Sequence, residues 1–171
     1  MNTELTTPKQ RLLLGRLMDE SAGRSFPRPT FTALFDVLGL SSAVNERCAE
    51  MLATVGLSEG RFAVLLLLEQ RPALTPAELA ENLGVTRATI TGLIAGLERQ
   101  DLLVREADSS DGRRTRLALT AAGLTAIAEI IPAYSRWLGG AMRGVSPEDA
   151  DTFALVLARV ADNLAFDEGE R

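Results

Sequence analysis

The sequence predicts a mainly α-helical fold that contains one small β-hairpin. Apolar residues make up 46% of the chain and aromatic residues only 5%, so leucine, alanine, valine and isoleucine must supply most of the core. Alanine and leucine are strong helix formers. Apolar residues recur at spacings of three and four through most of the chain, whereas the stretch 102–119 alternates around an Asp-Gly turn, which is typical of a hairpin.

The composition excludes several classes of function. The chain has no histidine and one cysteine, Cys48. Ser–His and Cys–His catalysis therefore lack their base, zinc lacks its usual ligands, and no disulfide can form within the chain. A lone cysteine fits a reducing compartment, and no apolar run approaches the ~18 residues of a membrane helix. We expect a cytoplasmic protein that is not an enzyme, has no membrane partner and needs neither a metal nor a cofactor.

The charge balance gives a mixed indication about nucleic acid. A net charge of −5 and a pI near 4.9 oppose DNA binding, for which a basic domain is typical. From Arg105 to Arg116, however, four arginines stand against three acidic residues, so that 4 − 3 = +1. This local positive bias keeps DNA binding open.

Helices are expected within residues 1–70. Residues 1–29 are interpreted as an arm, with a short helix opened by Thr7-Pro8 and a proline-containing linker at 25–29. Apolar residues at helical spacing then predict helices over 31–55 and 58–70.

Residues 75–100 predict two short helices joined by a tight turn. Thr75 is an N-cap, with proline first and glutamate third in the helix that follows, and this is a strong helix start. Thr86 caps the next helix, which is expected to run to Gln100. The intervening turn contains Gly84, and such a short, glycine-containing connection is typical of a helix-turn-helix.

A hairpin is predicted directly after these helices. Strands over 102–106 and 113–119 flank the dipeptide Asp111-Gly112, the strongest short hairpin signal. A hairpin in this position is a wing. The predicted fold is therefore a mainly α winged helix-turn-helix with a small β-hairpin wing.

Two long helices complete the prediction. The first is expected from Thr120 to about Met142, with a kink at Pro132, and the second from Ser146 to 166, before an acidic tail at 167–171. Their apolar residues recur at three and four, as in helices that associate with one another.

Residues 101–123, DLLVREADSSDGRRTRLALTAAG, resemble the MarR family of bacterial regulators. The shared pattern is Leu-Val-x-Arg, an Asp-x-Arg at the wing tip, and Leu-x-Leu-Thr-x-x-Gly. The resemblance extends over roughly 31–165 and implies a homodimer on a pseudo-palindromic, double-stranded DNA operator. It implies a helical dimerisation region built from N- and C-terminal helices, 30–56 and 121–166, around a DNA-binding domain at 57–120.

The resemblance also indicates which residues contact DNA. It implies that the recognition helix after Thr86 enters the major groove and that Arg113 enters the minor groove, held by Asp111. Small hydroxyl groups suit phosphate oxygens and thymine methyls, and arginine suits guanine. The DNA-binding residues predicted in this way are Thr75, Thr86, Arg87, Thr89, Thr91, Arg105, Asp111, Arg113, Arg114 and Arg116.

The predicted function is a repressor that a small, anionic or phenolic effector releases from DNA. By resemblance, the effector pocket would be lined by Arg47, Cys48, Arg61, Phe62, Tyr134 and Trp137. Two alternatives stay open: a winged-helix protein-interaction module that does not bind DNA, and a regulator that senses oxidation through Cys48. Because Cys48 lies on an apolar helix face and no second cysteine exists, a plain core role is favoured for it. The arm at 1–29 would either extend the dimer interface or cover the pocket.

Overall fold

The computed structural model describes residues 7–20, 28–107 and 115–168, and side chains within these ranges for 7–17, 32–107 and 115–165. The described elements are, in chain order, α1 (Pro8–Glu20), α2 (Arg28–Ala53), α3 (Glu59–Gln70), α4 (Pro76–Asn82), α5 (Arg87–Arg99), β1 (Leu103–Ala107), β2 (Thr115–Leu119), α6 (Ala121–Ala141) and α7 (Pro147–Glu168). Over these residues, no helix combines the length and apolar character needed to cross a membrane. The mainly helical winged-helix fold predicted from the sequence is confirmed.

The chain forms two compact units, Met1–Pro132 and Ala133–Arg171. The core of the first unit lies among α3, α4, α5 and the hairpin, with a contribution from α2. Its large side chains that are almost completely buried are Leu52, Val64, Leu65, Leu68, Leu79, Ile90, Ile94, Leu97, Leu103 and Leu117.

Side-chain caps begin the three helices of this core at the predicted places. The hydroxyl oxygens of Ser58, Thr75 and Thr86 accept hydrogen bonds from the third backbone N–H of α3, α4 and α5. Thr75 also forms a complete capping box with Glu78, whose carboxylate accepts from the Thr75 backbone N–H at 2.8 Å. Each cap satisfies an otherwise unpaired donor, so these sequence positions define the helix-turn-helix directly.

A glycine in α5 makes room for a side chain of α3. A Cβ atom at Gly96 of α5 would lie only 2.6 Å from a guanidinium nitrogen of Arg61 in α3. The Arg61 side chain therefore lies against the backbone of α5, and no larger residue fits at position 96 without moving it.

The hairpin is antiparallel and is attached to the helices at its base. Leu103 pairs with Leu119 and Arg105 with Leu117, so that Leu103 and Leu117 point into the core. The backbone N–H of Leu117 also donates to the carbonyl of Leu74 at 3.0 Å. The connection between α3 and α4 thus adds a third segment to the hairpin.

Several element boundaries differ from the prediction; α2, for example, ends at Ala53 rather than at 55, and β1 ends at Ala107 rather than at 106. Strand β1 begins at Leu103 rather than at 102, because the Leu102 N–H donates to the Leu97 carbonyl at 3.0 Å and closes α5. Helix α2 begins at Arg28 rather than at 31, since a proline in the first turn of a helix loses no hydrogen bond there. Helix α7 continues to Glu168, beyond the expected start of the tail. The predicted turn at 109–112 lies outside the described residues.

The second unit consists of the end of α6 and α7. Helix α6 remains helical through Pro132 to Ala141. Ser146 begins α7 through a reciprocal cap: Asp149 N–H donates to the Ser146 hydroxyl at 3.1 Å, and the Asp149 carboxylate accepts from that hydroxyl at 2.6 Å. The carboxylate also accepts from the Ser146 backbone N–H at 3.1 Å. The hydrogen bonds that it accepts from the Ser146 hydroxyl and then from this N–H lower the pKa of Asp149 from its ordinary value of 3.8. Large apolar side chains that are exposed in this unit are Leu138, Met142, Val145, Phe153, Leu155, Val156 and Leu164.

Candidate nucleic-acid interface

The start of α5 presents a row of exposed polar side chains. Thr86, Arg87, Thr89 and Thr91 are all exposed. The hydroxyls of Thr86 and Thr89 lie 2.9 Å apart, and the Thr91 hydroxyl donates to the Arg87 carbonyl at 2.7 Å. No ion pair of Arg87 is found among the described residues. Arg87 is the first residue of α5, so its positive charge and the positive end of the helix dipole both favour an anion at this helix end.

Two of these residues, Arg87 and Thr91, line an open groove of about 570 Å³. Its lining includes Thr75, the N-cap of α4, together with Arg87 and Thr91 of α5 and Arg105 and Thr115 of the hairpin. The fold therefore brings four of the predicted DNA-binding residues from three elements to one concave surface. Hydroxyls, guanidinium groups and helix N-termini are the groups with which proteins usually bind phosphate and base edges.

The Arg105 side chain is 43% exposed but is paired with a carboxylate of the same chain. Its Nε donates to Glu98 Oε1 at 2.7 Å and its Nη2 donates to Glu98 Oε2 at 3.4 Å. Both oxygens of the carboxylate are used. The pair links the first strand of the hairpin to the last turn of α5.

Arg116 is also bound to the protein. It is partly buried, and its Nη1 donates to the carbonyl of Ala73 at 3.3 Å. Ala73 lies in the connection between α3 and α4 with φ at 65°, a conformation that is unusual for a residue with a Cβ. Arg116 thus contacts the turn that precedes α4.

The remaining predicted DNA contacts, Asp111, Arg113 and Arg114, lie outside the described residues. Their roles at the wing tip stay predictions from the sequence.

Comparison with known proteins agrees with this geometry. A family model described as "MarR family" matches residues 57–115. The "HTH-type transcriptional repressor YetL" of Bacillus subtilis is 34% identical over 137 residues, which is 79% of this chain and 80% of that protein. The chain belongs to the MarR family. It is accordingly a DNA-binding transcriptional regulator, and its relatives are regulators rather than enzymes.

Two solved MarR-type structures are similar to this chain. The Staphylococcus aureus MepR–DNA complex aligns with a TM-score of 0.65 and 21% identity, over 79% of this chain and 98% of MepR. The PcaV regulator of Streptomyces coelicolor, in complex with its natural ligand, aligns with a TM-score of 0.57 and 26% identity, over 72% and 90% of the two chains. At 21% identity, the similarity to MepR shows a shared fold.

The MarR-type motif Leu-Thr-x-x-Gly forms the junction between α5, the hairpin and α6. The Thr120 hydroxyl donates to the Asp101 carbonyl at 2.6 Å and accepts from the Gly123 N–H at 3.0 Å. A Cβ atom at Gly123 would lie 2.1 Å from the Leu102 carbonyl oxygen. Glycine is therefore required at 123 by the close approach of two backbones.

The six predicted pocket residues are distributed over both units. Arg47 forms an exposed ion pair with Glu50 at 2.8 Å, and Cys48 is half-buried. Phe62 is buried in the core of the first unit, and Arg61 lies against Gly96 as described above. In the second unit, the rings of Tyr134 and Trp137 pack edge to face with centroids 6.3 Å apart. The effector site stays a prediction.

Glu98 and Ala73 were not identified from the sequence, although they hold two of the predicted DNA-binding arginines. Glu98 precedes Arg105 by seven residues across a helix end and a strand start, and no periodicity relates such positions. Over the described residues, no cluster of three or more potential His, Cys, Asp or Glu ligands is present for a metal ion.

Proposed function

We propose that this MarR-family regulator is a homodimeric repressor of a pseudo-palindromic operator. In this proposal residues 57–120 bind DNA, while 30–56 and 121–166 form the dimer. The exposed start of α5 carries the proposal, because it combines a helix N-terminus, three threonine hydroxyls and Arg87, which forms no ion pair among the described residues. Arg87 and Thr91 also line the groove. The name of YetL as a repressor supports the direction of control.

The exposed apolar residues of the second unit support the dimer. Leu155 and Leu164 of α7 are 69% and 66% exposed. Monomeric proteins rarely leave many large apolar side chains together in water. A second copy of the chain is the occupant that the family resemblance implies, and its own α7 would supply an apolar surface of the same kind.

A small effector is proposed to release the regulator from DNA. The ligand bound to PcaV supports an effector in a MarR-type protein 26% identical to this chain. An effector that binds one spacing of the two DNA-binding domains more tightly would shift the dimer population toward it. An anionic or phenolic compound would suit the arginines and aromatic residues predicted to line the pocket.

The acidic net charge of −5 favours the alternative of a protein-interaction module. The groove argues against this alternative, because its described lining contains two arginines, Arg87 and Arg105, and three threonine hydroxyls, all of which suit DNA. DNA binding and protein binding differ in their dependence on salt, because each phosphate contact releases counterions.

Fluorescence polarisation on DNA from upstream of this gene tests the proposal. We expect tight, salt-sensitive binding that exceeds binding to a scrambled duplex. Arg87→Ala should weaken it about tenfold or more, the range for one base or phosphate contact. Arg99→Ala removes the same charge from the other end of α5 and should have a much smaller effect. Equal, weak binding to both duplexes that is insensitive to Arg87→Ala would contradict the proposal for this DNA and favour the interaction module.

A further inference from the structure

Both strands of the hairpin are tied to the helices by an arginine side chain. Arg105 of β1 reaches Glu98 at the end of α5, and Arg116 of β2 reaches the Ala73 carbonyl before α4. In the sheet register Arg105 lies opposite Leu117 and Arg116 lies opposite Glu106. The two arginines thus lie in adjacent residue pairs of the hairpin, and their side chains contact different elements.

The Glu98–Arg105 contact has the geometry of an orienting interaction. Two nitrogens of one planar guanidinium face two oxygens of one carboxylate, at 2.7 Å and 3.4 Å. Such two-point contacts fix direction as well as distance. The side chains are 43% and 30% exposed, so water screens the attraction and its contribution to folding stability is small.

Because Arg105 lines the groove, it could also bind phosphate, which is the role predicted for it from the sequence. That role conflicts with the observed pair. Contacting phosphate through the same nitrogens would require Arg105 to leave Glu98, and an unpaired carboxylate would then remain next to the DNA backbone. Like charges at close range weaken binding.

We propose that Glu98 is a positioning residue for DNA binding, and that Arg105 acts through it rather than on phosphate. The pair holds the base of the hairpin at a fixed direction relative to the recognition helix, so that both meet the duplex together. The inference rests on the proposed function, because it concerns how the same surface is oriented on DNA.

Neutralising Glu98 is the sharpest test, since electrostatics and positioning predict opposite signs. Removing an acidic group near DNA ordinarily raises affinity, because phosphate repulsion is reduced. If Glu98 positions the hairpin, Glu98→Gln instead weakens binding of the best natural duplex by about fivefold or more, as expected for residues in contact. Glu81→Gln, which removes a charge from the exposed side of α4, is the matched control and should leave affinity unchanged or raised.

The salt dependence separates positioning from phosphate contact for Arg105. Arg105→Gln should lower affinity at every salt concentration without changing the slope of log affinity against log salt. A phosphate contact would instead reduce the slope by about 0.9. Circular-dichroism melting of each variant confirms that it is folded before binding is measured.

Exchange of the two charges provides a rescue. Arg105→Glu alone should bind poorly, and the double variant Glu98→Arg/Arg105→Glu should recover most of the lost affinity, because the pair is restored in reverse. Unchanged or tighter binding by Glu98→Gln, a reduced salt slope for Arg105→Gln, or a double variant as weak as Arg105→Glu would each overturn the inference. A wild-type chain that selects no duplex from a random pool would overturn the proposed function itself, which is a distinct result.

Discussion

The two units of the chain differ in what covers their apolar side chains. In the first unit, Ile94 and Leu97 of α5 are completely buried against the neighbouring helices and the hairpin. In the second unit, α7 leaves Leu155 and Leu164 about two-thirds exposed. The helix-turn-helix and hairpin of the first unit bury a core within a single chain, whereas the second unit presents apolar surface that a single chain does not cover. Helices α1 and α2 of the first unit also leave apolar side chains uncovered, with Leu12 78% and Leu38 47% exposed.

The helices of the two units have the same apolar periodicity but bury their apolar faces differently. Both units show apolar residues at spacings of three and four, so periodicity alone assigns a buried face to each. Burial within the chain stabilises a monomer, whereas burial against a second copy makes stability depend on protein concentration. Variants in the first unit should therefore change the free energy of unfolding, and variants in the second should change the dimer dissociation constant.

The largest expected effect is at Gly123, where the first unit is most tightly closed. Gly123→Ala would place a Cβ atom 2.1 Å from the Leu102 carbonyl oxygen, and we expect a loss of about 4 kcal/mol or no folded protein. Denaturant unfolding measures this. Gly139→Ala in the same helix is the control: no atom lies within 4 Å of its Cβ position, so it should be neutral or stabilising by up to ~1 kcal/mol. Similar losses at both positions would remove the contrast.

A smaller effect is expected from charging the exposed face of α7. Leu164→Asp should leave the hairpin and its neighbouring helices folded but raise the dimer dissociation constant about thirtyfold, the equivalent of ~2 kcal/mol for one buried leucine. Sedimentation equilibrium measures the change. Asn163→Asp adds the same charge one residue away and should leave the dimer nearly intact. If Leu164→Asp sediments as the wild type does, this face is not the dimer interface.

The smallest expected effect is the pH dependence of the cap that begins α7. Hydrogen bonds from Ser146 lower the pKa of Asp149 from 3.8, so the carboxylate stabilises the folded state at neutral pH. That contribution is fully present above the unfolded-state pKa and is lost as the pH falls through the lower folded value. The difference in melting temperature between wild type and Asp149→Ala should therefore shrink only in strongly acidic buffer. A difference that instead grows with acidification would contradict the assigned cap.

The sequence predicted those parts of the fold that depend on local chemistry. Thr75 and Thr86 were predicted as helix caps because a cap needs only its own next three residues. The hairpin and its place after α5 followed from alternation around Asp111-Gly112 for the same reason. The groove residues at the start of α5 were predictable from their position on a capped helix.

Long-range contacts could not be predicted in this way. The pairing of Glu98 with Arg105 and of Arg116 with Ala73 depends on how a strand lies against a helix end and a distant turn. These contacts depend on the tertiary packing of distant segments, which the spacing of residues in one sequence does not reveal. The interpretation of Arg105 and Arg116 as DNA contacts used their charge and place in the chain, which do not reveal an internal partner.

Selection of duplexes from a random pool by the wild-type protein tests the central claim most directly. The account predicts enrichment of an inverted repeat whose half-sites lie about one helical turn, ~34 Å, apart, bound by two copies of the chain. Such a repeat requires both a DNA-reading first unit and a second unit that joins two copies. Enrichment of a single unrepeated site bound by one chain, or of no sequence at all, would contradict it.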